Sequence, residues 1–92
     1  MPIPAFDAES FLKTLTKKPG VYRMIDANVK ILYIGKARIL KNRVTSYFRA
    51  SGLQAKTMAM VAKIARIEII VTQSETEALL LEQSLIKEEK PP

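Results

Sequence analysis

A chain of 92 residues without a single cysteine or histidine must be held together by its hydrophobic core alone. Disulfides are excluded, and so are zinc sites built from those two residue types. A chain of this length buries only roughly 60–65% of the surface its unfolded form exposes, so every helix and strand has to share one small core. An apolar fraction of 48% against 26% charged residues supplies such a core and separates the chain from disordered sequences. The same two absences restrict chemistry. With neither a thiol nucleophile nor an imidazole base, catalysis would run through Tyr, Lys, Arg, Ser, Thr or carboxylates. Any metal would be a hard, oxygen-seeking ion such as Mg²⁺ or Mn²⁺.

Charge narrows the partners. Fifteen Lys and Arg against nine Asp and Glu leave a net charge of +6, which favours a polyanion. Between Asp26 and Glu68 there is no acid, whereas Lys30, Lys36, Arg38, Lys41, Arg43, Arg49, Lys56, Lys63 and Arg66 all fall there. From Ile67 onward the acids dominate. A basic stretch is ordinarily a solvated face, but solubility alone favours mixed signs, and this tract has one sign only. No window approaches the ~20 apolar residues of a membrane span. The opening MPIPAFDAES lacks the order of a signal peptide, so no membrane association is expected.

No repeat, low-complexity tract or linker divides the sequence, so residues 1–92 are expected to form one domain. Asp7 suits the N-cap of a short helix through Phe11, Leu12 and Leu15, stopped by Pro19-Gly20. Gly20–Ile25 and Lys30–Ile34 are rich in strand formers and flank the turn-prone Asp26-Ala27-Asn28, which predicts a hairpin. A two-residue loop Ala27-Asn28 would set Asp26 opposite Val29 and Tyr22 opposite Tyr33, on one face of the sheet. A helical period runs from about Ala37 to Phe48, with Leu40, Val44 and Phe48 in line, and Ser51-Gly52 ends it. A further helix, roughly Gln54 to Ile64, would turn Met58, Val61, Ala62 and Ile64 inward. Ile67–Thr72 reads as a third strand. Ser74 and Glu77 form a capping box for a last helix over Ala78 to about Lys87, closing near Pro91-Pro92. The fold class is α/β in the α+β sense, in the order α-β-β-α-α-β-α: a small three-stranded sheet covered by helices.

Several polar residues interrupt these apolar patterns. At 100° per residue Lys36, Leu40, Arg43, Val44 and Tyr47 share one side of the helix, unlike Arg38 and Lys41. Tyr47 alone is adequately explained by core packing. A guanidinium beside it at the core boundary asks for a carboxylate or phosphate. Glu82 falls within the apolar arc of the last helix, between Leu79 and Ile86 on one side and Ala78 and Leu85 on the other. A buried, unpaired carboxylate costs several kcal/mol. Its partner is therefore either a cation such as Arg43 or Lys36, or a divalent metal, and helix geometry does not choose between them.

Gly20-Val21-Tyr22, then Tyr33-Ile34-Gly35, then Arg43 and Tyr47 one turn apart, then a helical Glu82 resemble the signature of the GIY-YIG nucleases. The flanking segments resemble, over nearly the whole chain, the N-terminal domain of the UvrC family, the incision subunits of bacterial nucleotide excision repair. These are Phe11-Leu12-Lys13-Thr14, Pro19 to Met24, Tyr33 to Ala37, Ser46-Tyr47-Phe48 and Thr76 to Glu82. The resemblance implies a GIY-YIG fold and a DNA endonuclease that hydrolyses the phosphodiester 3′ to a lesion with a single Mg²⁺ or Mn²⁺. It implies a catalytic set of Tyr22, Tyr33, Gly35, Lys36, Arg43 and Tyr47, with Glu82 as the metal ligand. Lys36, Arg38, Lys41, Arg43 and Arg49 are the expected DNA contacts. The implied partners are damaged double-stranded DNA and UvrB, the latter through regions outside these residues, and the implied location is the bacterial cytoplasm. The family continues into a Tyr-Asn pair beyond the last helix, so the chain reads as an excised N-terminal piece of a longer protein.

That mechanism suits the composition. Arg43 would stabilise charge developing on the phosphate, worth roughly 2–4 kcal/mol for a well-placed donor. Tyrosine, with an ordinary pKa near 10, needs adjacent positive charge to act as a base, and either Tyr22 or Tyr33 fits that role. Tyr47 would orient the phosphate or the water, and Gly35 would leave the backbone open to approach. A stand-alone GIY-YIG endonuclease is one alternative. A non-catalytic DNA-binding module is another, with three core tyrosines and an internal Glu82–Arg43 salt bridge.

Overall fold

The computed structural model describes residues 6–49 and 52–91. Helix α1 (Ala8–Lys13) precedes strands β1 (Gly20–Asp26) and β2 (Ile31–Ala37). Helices α2 (Leu40–Ser46) and α3 (Ala55–Ala62) lead to β3 (Ile64–Val71) and α4 (Glu75–Glu89). The order and the three-stranded sheet are those expected from the sequence. The sheet is antiparallel in the order β2-β1-β3, so β1 is the central strand. Among the described residues no helix is long and apolar enough to cross a membrane.

Alternation along β1 divides the core between the two faces of the sheet. Tyr22 and Met24 join Leu15, Leu40, Val44, Ile64 and Ile67 in the larger cluster, with Phe11, Tyr47 and Met60 packed against it. Val21 turns the other way, to Ile34 and the α4 residues Ala78, Leu81 and Leu85. Asp7 caps α1 as expected, accepting from the Ser10 amide at 3.1 Å. That helix stops at Lys13, short of Leu15, which is buried nonetheless. Ser74 Oγ accepts from the Glu77 amide at 3.1 Å, but the Glu77 carboxylate accepts from the Gln73 amide and not from that of Ser74, so the capping box closes one residue early. The helix nevertheless starts at Glu75 and runs on to Glu89.

The hairpin differs from the expectation in its loop. The Asp26 amide donates to the Lys30 carbonyl at 2.9 Å, and the Val29 amide to the Asp26 carbonyl at 3.1 Å, so Ala27, Asn28 and Val29 form a three-residue loop. Its last residue takes the left-handed conformation that closes such loops, Val29 having φ 61°. The Asp26 carboxylate fastens the turn by accepting from the amides of Asn28 and Lys30. Tyr22 consequently faces Gly35, and Met24 faces Tyr33. Because the pairing moves by two positions, the tyrosines still share a face.

Other boundaries shift for local reasons. Helix α2 begins at Leu40 because Ile39 is extended, and the freed amides of Leu40 and Lys41 donate to the Lys18 and Thr16 carbonyls at 3.1 and 3.0 Å. Lys36 therefore belongs to β2 and not to the helix, and Phe48 lies past the helix end. Ile64 opens β3; Val61 packs inward as expected, while Met58 and Ala62 are exposed and Met60 takes the inward place. The expected ends at Ser51 and Pro92 lie outside the described residues.

Candidate active site

Three tyrosines form a triangle at the β1–β2 end of the α2 and α3 face. Tyr22, on the central strand, is 2% exposed, and its hydroxyl meets that of Tyr47 at 2.8 Å. Ring centroids are 5.8 Å apart for Tyr22 and Tyr47, 6.1 Å for Tyr22 and Tyr33, and 6.4 Å for Tyr33 and Tyr47. Gly35 makes this possible. It is the cross-strand neighbour of Tyr22, and a Cβ built on it would overlap the Tyr22 hydroxyl and ring. The missing side chain of Gly35 is thus the seat of the Tyr22 phenol. Tyr33 is positioned by an irregularity in β2. Ile25 pairs with Ile31 and Met24 with Tyr33, leaving Leu32 unpaired, and such bulges re-aim side chains next to functional sites.

Arg43 stands exposed in the last turn of α2, and its charge favours the phenolates of both Tyr22 and Tyr33. Burial wins at both. It pushes the Tyr22 phenol well above the usual tyrosine range, helped by the hydroxyl of Tyr47, and it is also the largest influence raising Tyr33. Tyr33 differs in being 38% exposed and in lying within reach of the Glu82 charge, which pushes it up further.

Glu82 lies mid-way along α4, half-buried, with no hydrogen bond or ion pair to any described residue. It borders the buried face of Ala78, Leu81 and Leu85 and does not sit inside it, because Leu79 and Ile86 on its other side are partly exposed. Of the two partners left open for it, the cation is not found: no salt bridge to Arg43 or Lys36 forms. Lys36 is exposed, and as the cross-strand neighbour of Val21 it lies on the α4 side of the sheet, away from the tyrosine rings. Arg38, Arg43 and Arg49 line one shallow groove with Ile39, Asn42 and Ser46. Lys41 is half-buried and outside that groove.

Two cations beyond the expected DNA contacts stand beside the triangle. Lys56 and Lys63 line a hollow with Leu32, Tyr33, Tyr47 and Met60. Their seven-residue separation puts them on one side of α3, a spacing already present in the sequence. Arg23 is another cation that the sequence pattern does not single out. It reaches across the other face of the sheet to Glu68 of β3 at 2.5 Å and Glu89 of α4 at 2.6 Å.

The sequence profile of the UvrC-like GIY-YIG domain matches residues 18–92. The chain belongs to that family. Among UvrC relatives, a UvrABC system protein C of Hahella chejuensis is 69% identical over 87 residues, covering 95% of this chain and 14% of its own length. Its counterpart in Saccharophagus degradans is 62% identical over 91 residues, covering 99% of this chain and 15% of its own length. The chain thus spans about one seventh of these relatives. The GIY-YIG N-terminal endonuclease domain of UvrC from Thermotoga maritima, solved with its catalytic magnesium, superposes with a TM-score of 0.80 at 32% identity, covering 90% of each chain. A point mutant of that domain, bound to its catalytic divalent cation, gives the same score over 90% of this chain and 89% of its own. The GIY-YIG fold expected from the motifs is the fold observed.

Proposed function

We propose that this domain is a metal-dependent DNA endonuclease and makes the cut 3′ to a lesion within a longer excision-repair protein that works with UvrB. The observation that carries the reading is the tyrosine triangle seated on Gly35, with the Arg43 and Glu82 charges both reaching Tyr33. The non-catalytic alternative relied on a Glu82–Arg43 ion pair, and Glu82 pairs with no described cation. Among the described residues no three His, Cys, Asp or Glu side chains cluster. A site with one protein carboxylate suits Mg²⁺ or Mn²⁺, since Mg²⁺ keeps several waters and takes its other ligands from substrate phosphate. Glu82 is the residue that would hold it. When bound, such an ion supplies Lewis-acid stabilisation of the phosphate and of the departing 3′ oxygen.

The chain's own residues divide the remaining tasks. Tyr22 is too buried to ionise readily and its hydroxyl is engaged with Tyr47, so it orients the site. Tyr33, the exposed member, is the better placed of the two to receive the proton of the attacking water; burial and the Glu82 charge raise its phenol, and the Arg43 charge works against them. Arg43 also meets the negative charge developing on the phosphate. Tyr47 holds the Tyr22 hydroxyl in register. Arg38 and Arg49 extend the cationic groove beside Arg43 as DNA contacts, whereas Lys36 and Lys41 lie outside it and are given no contact in this reading. Glu82→Ala should abolish Mg²⁺-dependent incision while leaving circular dichroism and DNA affinity within about twofold. Undiminished incision by that variant excludes the metal role. Tyr33→Phe should reduce the rate more severely than Tyr22→Phe, and equal rates in both would remove Tyr33 as the base.

A further inference from the structure

The hollow beside the triangle shares Tyr33 and Tyr47 with it, and the rest of its lining is given no part in the chemistry at the phosphate. It measures about 530 Å³, and its lining combines the Tyr33 and Tyr47 rings with Leu32 and Met60, while Lys56 and Lys63 stand at its edge. Small side chains, Thr57 and Ala59, occupy the α3 positions that would otherwise fill it. Aromatic faces with an apolar floor and a cationic rim are what a nucleotide requires, because a base stacks on the rings while phosphates meet the lysines. Seven residues of helix separate the two lysines by about 10.5 Å, at a rise of 1.5 Å per residue. That is close to the rise of three nucleotides along one B-form strand, at about 3.4 Å each.

We infer that this hollow is a nucleobase subsite: a base next to the scissile phosphate leaves the stack and lodges against Tyr33, Leu32 and Met60, with phosphates about three nucleotides apart along the same strand on Lys56 and Lys63. The inference rests on the nuclease reading and deepens it by placing the DNA strand along α3. Stacking on an aromatic side chain contributes about 1–3 kcal/mol per base, which is about five- to 150-fold in affinity. Tyr33 and Tyr47 line both the triangle and the hollow, so a captured base lies against two of the rings that form the proposed catalytic site.

The test uses this chain without divalent ion and a set of DNA substrates carrying 5-iodouracil at successive positions around the incision site. Irradiation should crosslink from one position only, and peptide mapping should find the bond at Tyr33, Tyr47 or Met60. Ala59→Trp would fill the hollow from an exposed helix position. It should weaken binding of intact DNA about tenfold while changing binding of DNA that is abasic at the crosslinking position less than twofold, with its melting temperature unaltered. DNA that binds but crosslinks only elsewhere, or an equal loss on intact and abasic DNA, overturns the subsite and leaves the nuclease reading to the Glu82→Ala incision assay. Failure to bind any of the substrates overturns both.

Discussion

Gly35 and Tyr22 show how far a residue's type can be readable while its task is not. The ordered tyrosines, glycine, arginine and glutamate were recognisable one by one, because each interrupts an apolar pattern or sits in a short motif. That Gly35 exists to admit the Tyr22 phenol depends on the cross-strand pairing, which the sequence did not specify. Gly35→Ala should therefore destabilise the domain by about 1–3 kcal/mol, as overpacking does, and displace the phenol from the Tyr47 hydroxyl. Urea denaturation measures the loss, and an unchanged midpoint would refute the seating role. Burial of Tyr22 also has a consequence at high pH. Its folded-state pKa is raised above the unfolded value near 10, so the stabilisation is fully present below about pH 10 and declines as pH rises toward the folded value. Over that window the wild-type chain should lose up to about 1.4 kcal/mol per pH unit from this group. Tyr22→Phe should lose correspondingly less, which melts at pH 9 and pH 11 would reveal.

At the scale of elements, the strands and helices were legible because period and caps agree, and the errors fall where tertiary contacts decide. Ile39 is extended because carbonyls of the α1–β1 connection take the amides of α2, an interaction invisible in a local window. The hairpin loop is hidden in the sequence because its left-handed position carries valine, a residue that conformation penalises. Val29 is also 69% exposed, so its side chain gains little there. Val29→Asn should accordingly stabilise the domain by about 1 kcal/mol while leaving incision unchanged, and a thermal melt beside a rate measurement checks both. Helix α4 depends on a different device. Its inward side chains are Ala78, Leu81 and Leu85, and Arg23 adds a tether by holding Glu89 and Glu68 together. Arg23→Met would leave the Glu89 carboxylate without a cation beside Glu68, which keeps only the more exposed Arg66 at 3.3 Å. We expect a loss of about 2 kcal/mol, recovered in part by the added change Glu68→Gln.

For the whole molecule, the net charge of +6 is less informative than its distribution. The one-signed tract from Lys30 to Arg66 folds so that Arg38, Arg43 and Arg49 line a groove and Lys56 and Lys63 a hollow, while Lys36 lies on the α4 side of the sheet. The sequence disclosed the tract but not this partition, since the β2–α2 boundary and the fold of α3 against β2 determine which cations converge. Five cations in those two places predict a specific salt dependence. If each neutralises one phosphate at about 0.9 released counterions, the logarithm of the DNA association constant should fall with the logarithm of salt at a slope of about −4 to −5. Replacing Arg38 and Arg49 together by alanine should reduce the slope by about two, because two phosphate contacts are lost. The pair Lys36→Ala and Lys41→Ala should change it by less than one, since neither side chain lines either depression. Fluorescence anisotropy titrations between 50 and 300 mM NaCl, on the order of a sixfold range, resolve these differences. A wild-type slope near −1 would mean that the tract is a solvated face, and the DNA would then have to be held by contacts other than these cations.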